Sequence, residues 1–423
     1  MNRLIFIFPL LLIGCGTEKE KPPAHLILTE AQARPLTDRA FDVTPARLAR
    51  GKYLAEGVLR CFFCHSEANH DLPGSPPMEG MTGAGVVWWD RDSTRLVAPN
   101  LTPDNETGIG RWADDMLARA IREGVGHDGR VLSTSMNYGS FRRLTDEDLA
   151  AVIVYLRSLP PIHNPLPQTI LSLDEQARLA SRLSPLTGPV PERDLSDPVE
   201  RGRYLVLVGS CVGCHTSWYS SRNPGLLGGG NIIERGEQKY FSTNITAHPS
   251  GMPYNAEAFI NVIRTGKGGT LGPAMPWWTY QHMTDEDLGA IHAFMQTMNP
   301  IAHYINNFVE PTWCTVCGQE HGLGDRNRIE MPTSVAVDLA LFDDYVGAYR
   351  SEEYGFTIRV RREGDHLRAQ EDEGPVVDLI PQSDTRFLMP GGIAPLRFVR
   401  DEDGQVTRLV SEEVEEIVLQ RIE

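Results

Sequence analysis

Cys61-Phe62-Phe63-Cys64-His65 and Cys211-Val212-Gly213-Cys214-His215 are two copies of one pattern, a pair of cysteines three apart with a histidine directly after. Their surroundings repeat as well. Arg50-Gly51-Lys52-Tyr53-Leu54 precedes the first copy and Arg201-Gly202-Arg203-Tyr204-Leu205 the second. Asn100-Leu101-Thr102 returns as Asn244-Ile245-Thr246, and Ala120-Ile121-Arg122-Glu123-Gly124 as Val262-Ile263-Arg264-Thr265-Gly266. Leu144-Thr145-Asp146-Glu147-Asp148-Leu149 returns as Met283-Thr284-Asp285-Glu286-Asp287-Leu288. Order is kept while the offset drifts from 151 to 139 residues, the mark of duplicated units that have lost loop residues.

The pattern is the attachment spacing of c-type haem. Two thiols on adjacent turns reach the two vinyl groups and become thioethers, and the imidazole that follows lies under the iron as its proximal ligand. Two covalently bound haem c groups are therefore expected, held by Cys61 and Cys64 and by Cys211 and Cys214, with His65 and His215 on the irons. A lone copy could belong to a zinc site, but the repeated flanking text argues against that. The sixth ligand in an electron carrier is commonly a thioether sulfur, which raises the potential relative to a second imidazole. Met136 lies 12 residues before Asp148 and Met275 lies 12 before Asp287, each with an aromatic residue shortly after, so these two are the expected ligands. Met78, Met81, Met252 and Met283 have no counterpart in the other copy, nor do His70, His127, His248, His282 and His292. They are read as packing or surface residues, with His127 the main rival as a ligand.

Each copy reads as a small helical unit. Thr145 and Thr284 are N-caps followed by acidic residues that satisfy free amides and complement the helix dipole. These helices should run to about Leu159, ahead of Pro160, and end before Pro300. Leu149, Val152, Ile153 and Leu156 share one face, and Gly51 in the first helix should let Tyr155 of the last approach closely, with Gly202 and Phe294 the matching pair. This crossing resembles the cytochrome c fold. Residues 44–161 and 196–307 together resemble the di-haem and tri-haem cytochrome c subunits of membrane-associated alcohol, aldose and gluconate dehydrogenases. The shared text is Asn100-Leu101-Thr102-Pro103 through Thr107-Gly108-Ile109-Gly110-Arg111-Trp112, and Met275-Pro276-Trp277 with Tyr280 ahead of Thr284-Asp285-Glu286-Asp287-Leu288. The resemblance implies single-electron transfer from a partner dehydrogenase to a downstream cytochrome or oxidase. The chain departs from it in having two haem motifs where many such subunits have three, and in its C-terminal addition.

Arg3, the apolar run Leu4 to Ile13 and then Gly14-Cys15 resemble a bacterial lipoprotein signal. Residues 1–14 would be removed, Cys15 lipidated, and 15–43 left as a tether. The ten-residue run is too short to span a bilayer, and Gly16-Thr17 after the cysteine favours the outer membrane, so the expected place is the periplasmic side of a bacterial membrane. Acidic residues outnumber basic ones 56 to 40, a net charge of -16 that repels phosphate backbones and argues against nucleic acid as partner. From Asp338 onward there are 20 acidic and 10 basic residues, which marks a separate module.

Residues 162–195 are proline-rich around Leu171 to Leu183 and should form a stiff linker with one short helix. The connector 308–337 holds Trp313-Cys314-Thr315-Val316-Cys317-Gly318, where a glycine stands in the place a third haem motif would need histidine. A local Cys314–Cys317 disulfide is the leading reading in an oxidising compartment. A metal knuckle completed by His321 and His303 and a redox-active thiol pair are the alternatives. In 338–423 apolar and charged residues alternate, as in Thr357-Ile358-Arg359-Val360-Arg361, with turns at Glu363-Gly364-Asp365 and Asp403-Gly404. The expected fold class is multidomain: two mainly-α cytochrome c domains plus a small C-terminal antiparallel β domain. No G-x-G-x-x-G or P-loop is present, so no catalytic residue is assigned and the substrate-oxidising centre is expected on another protein. The rival readings are a di-haem peroxidase with one open iron site and a sensor module built on the acidic β domain.

Overall fold

The computed structural model describes residues 25–72, 74–91, 93–217, 223–235, 238–268, 271–272, 274–328, 334–372, 374, 376–389, 395–412 and 415–422. The expected signal segment and the lipidation site Cys15 lie outside them. Thr44 caps α1 (Pro45–Tyr53) by accepting the Arg47 N–H at 3.2 Å, and Pro45 occupies the first turn, where its missing N–H costs nothing. The helix widens into a π turn over Leu54–Val58 that buries Leu54, Ala55, Gly57 and Val58. Arg60, left-handed at φ 57°, redirects the chain into α2 (Cys61–Cys64). A hairpin of β1 (Val86–Arg91) and β2 (Thr94–Ala98), then α3 (Asp114–Glu123) and α4 (Tyr138–Phe141), lead to α5 (Asp146–Arg157). Helices α1 and α5 cross at Gly51, where an added Cβ would lie 2.7 Å from that of Tyr155.

The proline-rich segment carries α6 (Leu173–Ala180), whose Leu179 packs with Leu183, Val125 and Val131. It lies on the first unit as well as joining it to the second. Residues 25–43 correct the expectation of a free tether. Leu26 donates to Gln176 Oε1 at 2.9 Å, and Arg34 reaches both oxygens of buried Asp115 at 2.8 Å and Glu123 at 2.9 Å. Asp115 also accepts the Thr37 N–H at 2.7 Å, so its charge is fully bonded and removing this segment would leave it buried and unpaired.

The second unit repeats the first. Helix α7 (Pro198–Val208) leads to α8 (Cys211–His215), the hairpin β3 (Ile232–Arg235) and β4 (Gln238–Phe241), α9 (Ala256–Thr265), α10 (Trp277–Tyr280) and α11 (Asp285–Met295). Helices α7 and α11 cross at Gly202, where a Cβ would lie 2.8 Å from that of Phe294. One hydrophobic cluster runs through both units and joins Leu54, Val58, Leu149 and Ile153 to Tyr204, Val208, Leu288 and Phe294. The join is reciprocal. Tyr204 of the second unit donates to Asp148 Oδ2 of the first at 2.6 Å, and Tyr53 of the first donates to Asp287 of the second. Each carboxylate is also held by the arginine of its own unit's first helix, Arg50 or Arg201.

After the short hairpin β5 (Pro311–Cys314) and β6 (Gln319–Gly322), α12 (Phe342–Tyr345) opens the C-terminal module. Strands β7 (Gly347–Arg350), β8 (Thr357–Glu363), β9 (His366–Glu371), β10 (Val376–Pro381), β11 (Arg386–Leu388), β12 (Pro395–Arg400), β13 (Val406–Glu412) and β14 (Glu416–Arg421) form an antiparallel barrel. It closes by pairing β14 with β7, Arg421 opposite Tyr349. Alternation along the strands sends Ile358, Val360, Leu367, Leu396, Phe398 and Leu419 inward, around Tyr345 stacked on Phe398 at 4.2 Å. The barrel has its own core, and polar contacts fasten it to the helical body: Glu415 bonds Arg143 and Arg193, both at 2.8 Å, and Tyr354 accepts from Arg143 at 2.6 Å. No described helix is long and apolar enough to cross a membrane.

Candidate cofactor-attachment sites

His65 Nδ1 donates to the Pro99 carbonyl at 2.8 Å, and His215 Nδ1 to the Thr243 carbonyl at 2.7 Å. A carbonyl can only accept, so each ring carries its proton on Nδ1 and keeps the lone pair on Nε2. Neither Nε2 has a hydrogen-bond partner among the described residues. Burial pushes both imidazoles below their ordinary pKa, against the opposing pull of the carbonyl bond, and so keeps them neutral at pH 7. The repeated Asn-x-Thr sets these carbonyls. Asn100 accepts the Thr102 N–H at 2.9 Å and donates to the Ile162 carbonyl at 2.8 Å; Asn244 does the same with Thr246 at 2.9 Å and Ile301 at 2.6 Å. Pro99 and Thr243, directly before them, are thereby aimed at the histidines. Sequence reasoning missed these two residues, although their place ahead of a repeated motif was the available signal.

Burial in apolar surroundings raises the Cys61 thiol to about 12 and the Cys211 thiol to about 11. Met136 and Met275 are half-buried and pack against the same cluster as Cys61 and Cys211. The loops bearing them are placed by the repeated glycines. Gly124 ends α3 at φ 69° and Gly266 ends α9 at φ 63°; a Cβ would lie 2.7 Å from the Tyr138 ring and 2.6 Å from the Trp277 ring, the aromatics that follow each methionine. Arg122 bonds the Leu144 carbonyl, and its counterpart Arg264 bonds that of Met283 at 2.7 Å, so each repeated arginine ties this helix to the start of the last one.

The rival ligands have other surroundings. Met252 and Met283 are core residues, and Met78 is exposed. His248 bonds Ser250 at 2.7 Å, and His292 bonds the Tyr254 carbonyl at 2.9 Å. The ring of His127 stacks on Trp112 with centroids 4.1 Å apart.

The two motifs face each other. Arg60, directly before Cys61, donates to the Gly209 carbonyl at 2.9 Å, two residues before Cys211. Its guanidinium lies 5.9 Å from the centre of the Tyr280 ring and close to Cys64, Cys211 and Cys214. A cleft of about 290 Å³ opens beside the second motif, between Tyr138, Arg143, Val212, Gly213 and the barrel residues Glu415 and Ile417.

The sulfurs of Cys314 and Cys317, read from the sequence as a local disulfide, are not joined in this structure. The Cys314 sulfur instead accepts N–H groups from Cys317 at 3.4 Å and Asn327 at 3.3 Å and lies 3.6 Å from His303 Nε2. These contacts hold it within a cluster with His303, Cys317 and His321.

Residues 197–295 match the family model for cytochrome c oxidase, cbb3-type, subunit III. The chain's homologues are cytochromes c. They include cytochrome c subunits of alcohol, fructose and gluconate dehydrogenases and a diheme cytochrome c, and they imply covalently bound haem c. A nicotinate dehydrogenase subunit of Pseudomonas putida is 31% identical over 255 residues, 55% of this chain and 19% of that one. The cytochrome c subunit of the quinone alcohol dehydrogenase of Gluconobacter oxydans is 26% identical over 283 residues, 61% of this chain and 56% of that one. A diheme cytochrome c of Cereibacter sphaeroides is 28% identical over 257 residues, 57% of this chain and 82% of that one. The chain thus spans a fifth to about half of the two dehydrogenase subunits. Residues 332–421, which contain the barrel, match a domain family of unknown function, DUF3471.

Proposed function

We propose that the chain is an exported di-haem cytochrome c that takes single electrons from a partner dehydrogenase and passes them to a downstream cytochrome or oxidase of a respiratory chain. Its two units are two cytochrome c domains, and Cys15 carries the lipid that anchors it on the periplasmic side of a bacterial membrane, the outer membrane by the residues that follow Cys15. The observation that carries the reading is the matched pair of neutral histidines, each directly after two cysteines and each with Nε2 left unbonded by an Nδ1–H to carbonyl bond. Those residues fit haem c: Cys61 and Cys64, and Cys211 and Cys214, would bear the thioethers, and His65, His215, Met136 and Met275 would be the iron ligands. When bound, the haem supplies a one-electron couple at each site.

The protein's own residues shape how such a relay runs. Pro99 and Thr243 fix the tautomer and the ring orientation of the two histidines, which raises their basicity as ligands. Arg60 holds the two motifs against each other and keeps a fixed positive charge between them, which favours the electron-loaded state of both. The shared core and the reciprocal tyrosine bonds hold the spacing of the two sites constant.

The test is the chromophore itself. The exported protein should keep two haems per chain through acid–acetone extraction, and both should show the methionine-to-iron charge-transfer band when oxidised. Peptides released without added mass at Cys61 and Cys64, or at Cys211 and Cys214, would sink the reading. A high-spin haem that turns over hydrogen peroxide would replace it with the peroxidase reading.

A further inference from the structure

Four buried residues outside the haem sites converge on one point. His303, Cys314, Cys317 and His321 each offer a ligand atom, and these atoms all lie within 4.8 Å of one another. All four are at most 1% exposed. We propose that His303, Cys314, Cys317 and His321 bind one zinc ion in a tetrahedral two-sulfur, two-nitrogen site that staples the connector to the second helical unit.

Geometry and hydrogen bonding both point to a metal. A tetrahedron with arms of 2.0–2.3 Å has edges of about 3.3–3.8 Å. Cys314 Sγ lies 3.6 Å from His303 Nε2, within that span. His303 Nδ1 donates to the Gly228 carbonyl at 2.7 Å, and His321 Nδ1 to the Gly322 carbonyl at 3.1 Å. Both rings therefore keep the Nε2 lone pair turned toward the cysteines, His303 Nε2 meeting Cys314 Sγ, and the Nδ1 bond is an outer bond of the kind metal-bound histidines make. His321 Nε2 is buried and has no hydrogen-bond partner, which costs free energy unless something binds it. Cys314 Sγ already accepts N–H groups from Cys317 and Asn327, the bonds that stabilise a thiolate sulfur. Gly318, left-handed at φ 69°, turns the chain so that its N–H meets the Cys314 carbonyl at 2.9 Å, which closes the Cys-x-x-Cys knuckle.

The location says what the ion would do. Strands β5 and β6 are four residues each, and an isolated hairpin of that size is marginal in water. The side chain of Trp313 is mostly exposed and adds little core. A metal core supplies what the hairpin lacks. It also pins the stretch after the second haem motif: His303 holds Gly228, Gln319 donates to the Gly230 carbonyl at 2.8 Å, and the Gly229 N–H bonds the His215 carbonyl at 2.7 Å. Zinc suits the set because two thiolates balance its charge in a buried site and two imidazoles complete the tetrahedron. Binding is a proton exchange without electron transfer: two thiols lose their protons to solvent, two zinc–sulfur bonds form, and the imidazoles enter as neutral donors.

The experiment reads the metal directly and makes no use of the haem sites, so it stands or falls separately from the electron-carrier reading. Elemental analysis of the full exported chain should give one zinc per chain, and X-ray absorption at the zinc edge should show two sulfur and two nitrogen neighbours at about 2.3 and 2.0–2.1 Å. His321→Ala should lower the zinc content at least tenfold, and the double variant Cys314→Ser, Cys317→Ser should abolish it. Wild-type protein that contains no zinc, with Cys314 and Cys317 recovered as a disulfide peptide two hydrogens lighter, would overturn the proposal. So would zinc retained in full by the double variant. The wild-type measurement decides even if both variants fail to fold.

Discussion

Arg60 and Gly51 are the residues on which the arrangement leans most. Arg60 is a cation set between the two Cys-x-x-Cys-His motifs, beside Cys64, Cys211 and Cys214. A unit charge within about 10 Å at an effective dielectric near 20 is worth about 2 kcal/mol before screening, so Arg60→Met should lower the midpoint potentials by some tens of millivolts, as read by spectroelectrochemical titration. An unchanged titration would show that the charge is compensated locally. Gly51 lets α1 and α5 touch, and a methyl there would meet Tyr155 and the backbone of Ala151. Gly51→Ala should cost about 1–3 kcal/mol in denaturant unfolding, and Gly202→Ala a similar amount. These two glycines were legible in the sequence, since a duplicated unit offers two readings of one geometry. Tyr53 to Asp287 and Tyr204 to Asp148 were not: each tyrosine and each aspartate stands in the repeated text, but which pairs with which depends on how the units dock.

Among the elements, the last helix of each unit is the best announced. Thr145 accepts the Asp148 N–H at 3.2 Å, and Thr284 accepts that of Asp287 at 3.1 Å. Thr145→Ala and Thr284→Ala should each destabilise by about 1 kcal/mol in a urea titration, with Ser at either position restoring most of it. The hairpins β1–β2 and β3–β4 were not foreseen. Val86-Val87-Trp88-Trp89 and Ile232-Ile233 carry strand-forming residues, but each run is short and half exposed, so the helical text around it dominates the reading. Residues 25–43 misled in another way. Polar, proline-containing text reads as a tether, yet Arg34 finds Asp115 on α3, a partner that lies 81 residues further along the chain. The Cys314–Cys317 spacing suits a disulfide and a metal knuckle alike; His303 and His321 could be named from the sequence as its further ligands, and the fold brings all four ligand atoms within 4.8 Å of one another.

At the scale of the whole molecule, Glu415 is the latch between barrel and helical body. Burial alone would raise its carboxyl, but Arg143 and Arg193 outweigh burial and hold it below the ordinary glutamate range. A depressed folded pKa contributes stability that is complete above the unfolded value of about 4.3 and is lost as pH falls through the folded one. The barrel should therefore stay docked at pH 6 and loosen below about pH 4, seen as faster amide exchange at Tyr354 and Arg143. Glu415→Gln should flatten that acid dependence and loosen docking at neutral pH. Part of this level was open to sequence reading, since the surplus of carboxylates past Asp338 set the last module apart. That the strands close into a barrel depends on the pairing of β14 with β7, which joins nearly opposite ends of the module and carries no local signal.

The continuous apolar cluster that runs through both helical units has a thermal consequence. Neither unit owns a complete interior, so melting one strips cover from the other, whereas the barrel keeps a filling of its own. Scanning calorimetry of the intact chain should record two heat-absorption peaks and not three, with both helical units going together in one of them. A destabilising substitution in either unit would then move the melting temperature of both by the same amount.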